Sequence, residues 1–189
     1  MKLLHIDSSA LGAQSVTREL SAAIVARWQD ALPGLSVEYR DLDANPLPHL
    51  TGGSLAKADP AEAADADRVM AQFLAADVVV IGAPMYNFSV PSQLKAWIDR
   101  ILVAGTTFRY GVNGPEGLAG NKRVIVAVSR GGFYDDASLL EHVKTYLNGV
   151  LGFIGITPEF VHADGVNYGP EQREAGIANG LAEVERLAA

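Results

Sequence analysis

Three short segments of this chain concentrate side chains able to hold or polarise a ligand. The first, Asp7-Ser8-Ser9-Ala10-Leu11-Gly12-Ala13-Gln14-Ser15-Val16-Thr17, follows an apolar run and opens a helical pattern. Ser9, Ser15 and Thr17 supply hydroxyls there, and free amides at a helix start, Val16 among them, favour an anion without any added cation. A phosphate monoester suits that donor set; a plain Ser15 N-cap with solvated neighbours is the competing reading. The second segment, Ala83 to Pro91, holds Met85, Tyr86, Asn87 and Phe88. Met, Tyr and Phe make a flat, polarisable shelf for an aromatic ring system, with Asn87 adding directional polar contacts. An aromatic cluster at a subunit contact would look the same. The third is Ser129-Arg130-Gly131-Gly132-Phe133. Paired glycines let backbone approach a ligand closely, and N–H groups there stabilise negative charge on a bound ring. The alternative is a plain turn with Arg130 in solvent.

These segments need elements to position them, and the hydropathy pattern supplies five strands alternating with five helices. Lys2–Ile6, Val37–Tyr39, Val78–Gly82, Val124–Val128 and Glu159–Val161 read as strands. Three are nearly continuous apolar runs, as parallel strands covered on both faces require. Between them lie amphipathic stretches. In the first, Leu20, Ile24 and Trp28 share a side while Arg18, Glu19 and Arg27 face water. The second opens at Asp59-Pro60, the third after Ser89-Val90-Pro91, the fourth near Asp135 or Asp136 with Leu139 and Leu140 on its stripe, and the fifth at Gly169-Pro170, running to Ala188.

Strands alternating with such helices imply right-handed βαβ units and a doubly wound, three-layer α/β/α fold of one domain over residues 1–189. Five strands suit the order 2-1-3-4-5. Ligands then bind outside the carboxyl ends of the strands where the order reverses, which is where the three segments fall. The long connections, about Asp43–Asp59 and Gly105–Asn121, invite a functional reading.

Composition narrows the field. Half of the 189 residues are apolar (49%) and a fifth are charged (20%), an ordinary globular balance. Net charge is −7 without a basic cluster, which disfavours nucleic acid. With no cysteine, thiolate chemistry and disulfides are excluded, and His5, His49, His142 and His162 show no metal-ligand spacing. No targeting signal or membrane span is read, so a cytoplasmic protein is expected.

At the level of motifs, the chain resembles the flavodoxin-like FMN-dependent NADH azoreductases and quinone reductases. The likeness rests on SS-x5-S-x-T after strand one, PMYNFSVPSQLKAWIDRI after strand three, GTTFRYGVNGPEGLAG, VIVAVSRGG, and LGFIGI followed by YGP. It runs essentially end to end. It implies FMN held by Ser9, by Ser15, Val16 and Thr17, by Met85, Tyr86, Asn87 and Phe88, and by Ser129, Arg130, Gly131 and Gly132. It also implies NADH or NADPH as co-substrate, a quinone or azo acceptor, and ping-pong two-electron hydride transfer through flavin N5 with no dedicated protein acid or base. A homodimer whose active site both subunits complete follows from the same likeness. Phe108, Tyr110 and Phe153 are candidates to line the acceptor pocket, core or dimer packing being their other reading. Thr106 departs from some relatives, which carry a bulkier or charged residue there. That bears on acceptor or nucleotide preference rather than on the flavin.

Other functions of this fold fit less well. A flavodoxin-type electron carrier would keep the flavin but needs neither the long Gly105–Asn121 connection nor an acceptor pocket. A hydrolase elbow is imitated by Ala127-Val128-Ser129-Arg130-Gly131, but His162-Ala163-Asp164 has base and acid in the reverse order. A receiver domain needs a phosphoacceptor Asp after strand three, where this chain has Gly82-Ala83-Pro84.

Overall fold

Side chains alternate across a strand, so a run such as Leu3-Leu4-His5-Ile6 feeds two opposite faces at once. In the computed structural model, which describes residues 1–189 except Asp136, that alternation divides the core in two. Leu4, Ile6, Val79, Ile81, Val124, Val126 and Val128 join one apolar cluster. Leu3, Val78, Val80, Ile125, Ala127, Val161 and Ala163 join the other. The strands are β1 (Lys2–Asp7), β2 (Ser36–Asp41), β3 (Val78–Pro84), β6 (Arg123–Arg130) and β7 (Glu159–Asp164). They pair in parallel in the order β2-β1-β3-β6-β7, with His5 opposite Val80, Ile81 opposite Val126 and Ala127 opposite Val161. This is the expected order once two further strands outside the sheet are set aside.

Helices α1 (Val16–Ala31) and α6 (Pro170–Arg186) contribute to the second cluster. The first cluster takes residues of α3 (Pro60–Ala75), α4 (Ser92–Ile101) and α5 (Val143–Phe153). Asp59 caps α3 as its sequence promised, accepting from the amides of Ala61 at 2.8 Å and Glu62 at 3.3 Å. A short helix, α2 (Gly52–Leu55), opened by a Thr51/Ser54 capping box, punctuates the first long connection and was not expected.

The fourth helix starts later than its pattern suggested. Asp136 lies outside the described residues; Asp135 accepts from Ala137 N–H in a turn, and Leu139 is 89% exposed. The helix begins at Val143 because the Glu141 carboxylate, 2% exposed as a residue, accepts the amides of Lys144 and Thr145 at 3.0 and 3.1 Å. At the other end of the chain α6 stops at Arg186, short of Ala188.

The second long connection carries an antiparallel hairpin, β4 (Phe108–Gly111) and β5 (Gly114–Gly117), reversed over Val112 and Asn113 with Gly114 at φ +112° where β5 begins. Its base is fixed where Gly117 meets the backbone of Ile154 and Gly155 more closely than any Cβ would allow. Ala119 N–H donates to Ile154 C=O at 2.9 Å. Because α5 runs from the carboxyl end of β6 back toward the start of β7, the hairpin base lies at the amino-terminal end of the sheet. Among the described residues, no helix is long and apolar enough to cross a membrane.

Candidate functional site

The carboxyl ends of β1, β3 and β6 are neighbours in the sheet, and hydrogen bonds stitch their loops together. Ser9 Oγ lies 3.0 Å from Tyr86 Oη, and Ala10 N–H donates to the same oxygen at 3.2 Å. Met85 N–H donates to Ser129 C=O at 2.9 Å, joining the second segment to the third. Ser15 caps α1, accepting from Arg18 N–H at 3.3 Å, while its hydroxyl lies 3.2 Å from Thr17 Oγ1. Val16 and Thr17 occupy the first turn, where amides have no acceptor within the helix. The structure therefore gathers Ser9, Ser15, Val16, Thr17, Met85, Tyr86 and Ser129 at one end of the sheet.

Asn87 and Phe88 form the tip of the second loop in a tight turn. Tyr86 and Ser89 exchange both backbone hydrogen bonds, at 2.9 and 3.0 Å, around two residues with φ of +48° and +70°. Two consecutive positive φ values make a type I′ geometry, which suits Asn and Gly and strains Phe by ~1–2 kcal/mol. The strain presents the Phe88 ring, 42% exposed, edge-on to Tyr134 at 6.4 Å between centroids. Phe88 C=O in turn accepts from His142 N–H at 3.2 Å, so the turn leans on the start of α5.

The third loop is packed more tightly than a solvent turn. Arg130 is buried, its Nε and Nη2 held by the Asp164 carboxylate at 2.6 and 2.8 Å, with Glu141 at 3.7 Å. Its guanidinium is thus committed inside the protein, and only its backbone is left to meet a ligand. A Cβ on Gly131 would run into the Asn167 side chain, and Gly131 C=O accepts from Asn167 N–H at 3.2 Å.

Phe108, Tyr110 and Phe153 come together, but elsewhere. Phe108 lies 4.7 Å from Phe153 and 5.6 Å from Tyr110 between ring centroids. Phe153 ends α5, about three turns from the strand ends that carry the loops. A separate cavity of about 290 Å³ between α2, α3 and α4, lined by Leu55, Ala66, Met70 and Val103, shares no residue with the three loops. Among the described residues, no group of His, Asp or Glu side chains could hold a metal ion.

Comparison with known proteins agrees with this fold. The model of a family described as having the flavodoxin-like fold matches residues 1–188. FMN-dependent NADH:quinone oxidoreductase 2 of Bradyrhizobium diazoefficiens is 59% identical over 201 aligned positions covering 100% of both chains. FMN-dependent NADH:quinone oxidoreductase of Stenotrophomonas maltophilia is 61% identical, covering 96% of this chain and 93% of its own. The chain belongs to the flavodoxin-like family of these oxidoreductases. A solved azoreductase of Bacillus anthracis superposes with a TM-score of 0.86 at 34% identity, covering 97% of this chain and 96% of that one.

Within this flavodoxin-like frame, a buried polar network behind the first loop escaped the sequence reading. Arg18, expected in water, has its side chain only 17% exposed and grips Asp41 through both terminal nitrogens at 2.7 and 2.8 Å. Asp7, buried, accepts from Ser21 Oγ at 2.8 Å and Tyr39 Oη at 3.1 Å, and lies 3.8 Å from Arg18. The Arg18 hydrogen bond holds the Asp41 carboxyl down at about 2, while partial desolvation of the Tyr39 hydroxyl and the adjacent Asp7 carboxylate push the phenol of this half-exposed residue up to about 12. One signal was available. Asp7 and Asp41 both close adjacent parallel strands in register, and two neighbouring carboxylates require a cation.

Proposed function

We propose that this protein binds FMN across the three loops and reduces quinones and azo compounds with NADH or NADPH. One observation carries the reading: a hydroxyl-lined helix start, an aromatic turn and a glycine loop are hydrogen-bonded to one another at the switch point of the sheet. The donor set fits the flavin's phosphate, since Ser9, Ser15 and Thr17 with first-turn amides bind an anion without a free cation. In the present arrangement those hydroxyls are buried, Ser15 and Thr17 serving each other and Ser9 serving Tyr86, so a phosphate takes over contacts such as Ser15 to Thr17, and the exposed Leu11–Gln14 loop gives way to admit it. Asn87, Phe88, Met85 and Tyr86 would flank the ring, with backbone from Ser129, Arg130, Gly131 and Gly132 at its edge. Bound FMN supplies the two-electron chemistry; the chain contributes orientation, stacking, and N–H donors that stabilise negative charge on the ring.

The same reading makes the protein a homodimer. Phe108, Tyr110 and Phe153 cannot serve a ligand at the loops of their own chain from the far end of α5, yet Tyr110 is 76% exposed on the hairpin. A second copy presenting this trio would complete the acceptor pocket. The relatives' names, at about 60% identity, support quinone chemistry over a bare electron carrier. The two core clusters, fed by helices α1 and α6 and by α3 to α5, support a single three-layer domain, and the lack of cysteine fits a cytoplasmic setting.

The test is spectroscopic. Purified protein is expected to be yellow, or to turn yellow with added FMN. NADH should bleach it without oxygen, and a quinone should restore the colour with no other protein present. A colourless chain that refuses FMN overturns the proposal; bleaching without reoxidation by any quinone would favour the carrier.

A further inference from the structure

Resting on that reading of the first loop as a phosphate site, we infer that Arg18 is a positioning residue that builds the site without touching the anion. Two bonds tie it to the loop. Its backbone N–H donates to Ser15 Oγ at 3.3 Å, and its Nη2 donates to Ser9 C=O at 2.9 Å. The second bond sets the direction of a peptide plane. In a trans peptide the carbonyl and the following N–H point opposite ways, so drawing Ser9 C=O back toward Arg18 sends Ala10 N–H forward. That amide meets Tyr86 Oη, on the side where Ser9 Oγ also lies. Arg18 therefore turns one more backbone donor toward the hydroxyl cradle.

Its charge is not offered to a ligand. Asp41 takes both terminal nitrogens, Tyr39 Oη accepts from Nη1 at 3.0 Å, and Asp7 stands at 3.8 Å. With Asp41 opposite it, the guanidinium's charge is already balanced within the protein and adds little attraction for a phosphate. Asp41 is itself pinned, accepting from the amides of Asp43 at 3.0 Å and Ala44 at 3.2 Å. The clamp therefore runs from the turn after β2, through Arg18, to the loop after β1. Its output is geometry.

FMN and riboflavin separate this role from ordinary stabilisation, because they differ only in the phosphate. Flavin-free protein is titrated with each by fluorescence, comparing wild type, Arg18→Met, which keeps the aliphatic stem, and Arg18→Lys, which keeps one donor. Arg18→Met should weaken FMN at least tenfold and change riboflavin by less than twofold, and Arg18→Lys should recover part of the FMN loss. Equal losses for both flavins, or no loss for either, overturn the inference. So would a wild type that binds the two flavins equally. If Arg18→Met does not fold, the FMN-to-riboflavin ratio of Arg18→Lys decides alone: an unchanged ratio counts against the inference. A wild type that binds neither flavin refutes instead the flavin reading on which this rests.

Discussion

Replacing Asp41 by Asn isolates the charge of the clamp, because the amide oxygen can still accept from Asp43 and Ala44 N–H. The opposite atom becomes a donor facing Arg18 Nη1, which now sits 2.7 Å from a carboxylate oxygen. A carboxyl held at about 2 in the folded protein, against an ordinary value near 4, contributes ~2 kcal/mol of stability at neutral pH. The Asp41 side chain is 21% exposed, so solvent screening removes little of that. The folded value lies below the unfolded one, so the contribution is complete above both and disappears as pH falls through the lower. Linkage leaves roughly half of it at pH 3. Urea unfolding of flavin-free wild type and Asp41→Asn, followed by the buried Trp28 and Trp97, should show the gap at pH 7 and a visibly smaller one at pH 3. A gap of the same size at both pH values would mean that packing, not charge, was lost. No gap at pH 7 would mean that the ion pair contributes nothing.

Other expectations follow from single contacts. Phe88→Gly, which leaves an Asn-Gly pair in the strained turn, should raise the stability of flavin-free protein by ~1 kcal/mol while weakening FMN; a drop in stability would refute strain at that residue. Gly131→Ala should weaken FMN about tenfold, ~1.4 kcal/mol, by driving its new Cβ into Asn167. Adding Asn167→Ala should restore binding, and a titration in which the second change brings no recovery would locate the effect elsewhere. Phe108→Ala in the hairpin should keep FMN but lose quinone turnover. Mixing it with a variant crippled in the first loop, Thr17→Ala, should recover about a quarter of wild-type activity if each site draws on both copies. A mixture no more active than its parts would argue against a shared site.

How much of this was legible in the sequence depended on whether the relevant contacts lie close along the chain. The strands were readable because Leu3-Leu4-His5-Ile6 and Val78 to Ile81 must serve two cores, a demand that only parallel central strands make. Their order followed from counting. The late start of α5 was not readable: the acid that accepts its first-turn amides is Glu141, 3.7 Å from Arg130 of β6, while the earlier candidate Asp135 closes a turn instead. Arg18 was misplaced for the same reason. On a helical wheel it belongs with Glu19 and Arg27, but Asp41, 23 positions away, turns it inward. Side chains whose partners arrive from another element give no periodic signal, and they are the ones the loops lean on.

The placement of the two aromatic groups carries a further consequence for how the site works. Phe88 stands at the carboxyl end of the sheet, and the Phe108–Phe153 pair ends α5 at the other. If both line one acceptor pocket, the monomer alone holds a cofactor site and half of a substrate site. Flavin binding and catalysis then depend on concentration differently. Diluting the loaded protein below its dimer dissociation constant should abolish quinone turnover while the flavin remains bound, because the three loops come from one chain. The two losses are separable by following flavin fluorescence and NADH oxidation along one dilution series. Loss of flavin in step with activity would place part of the cofactor site on the partner. Activity that persists in a species shown by sedimentation to be monomeric would return the acceptor pocket to a single chain.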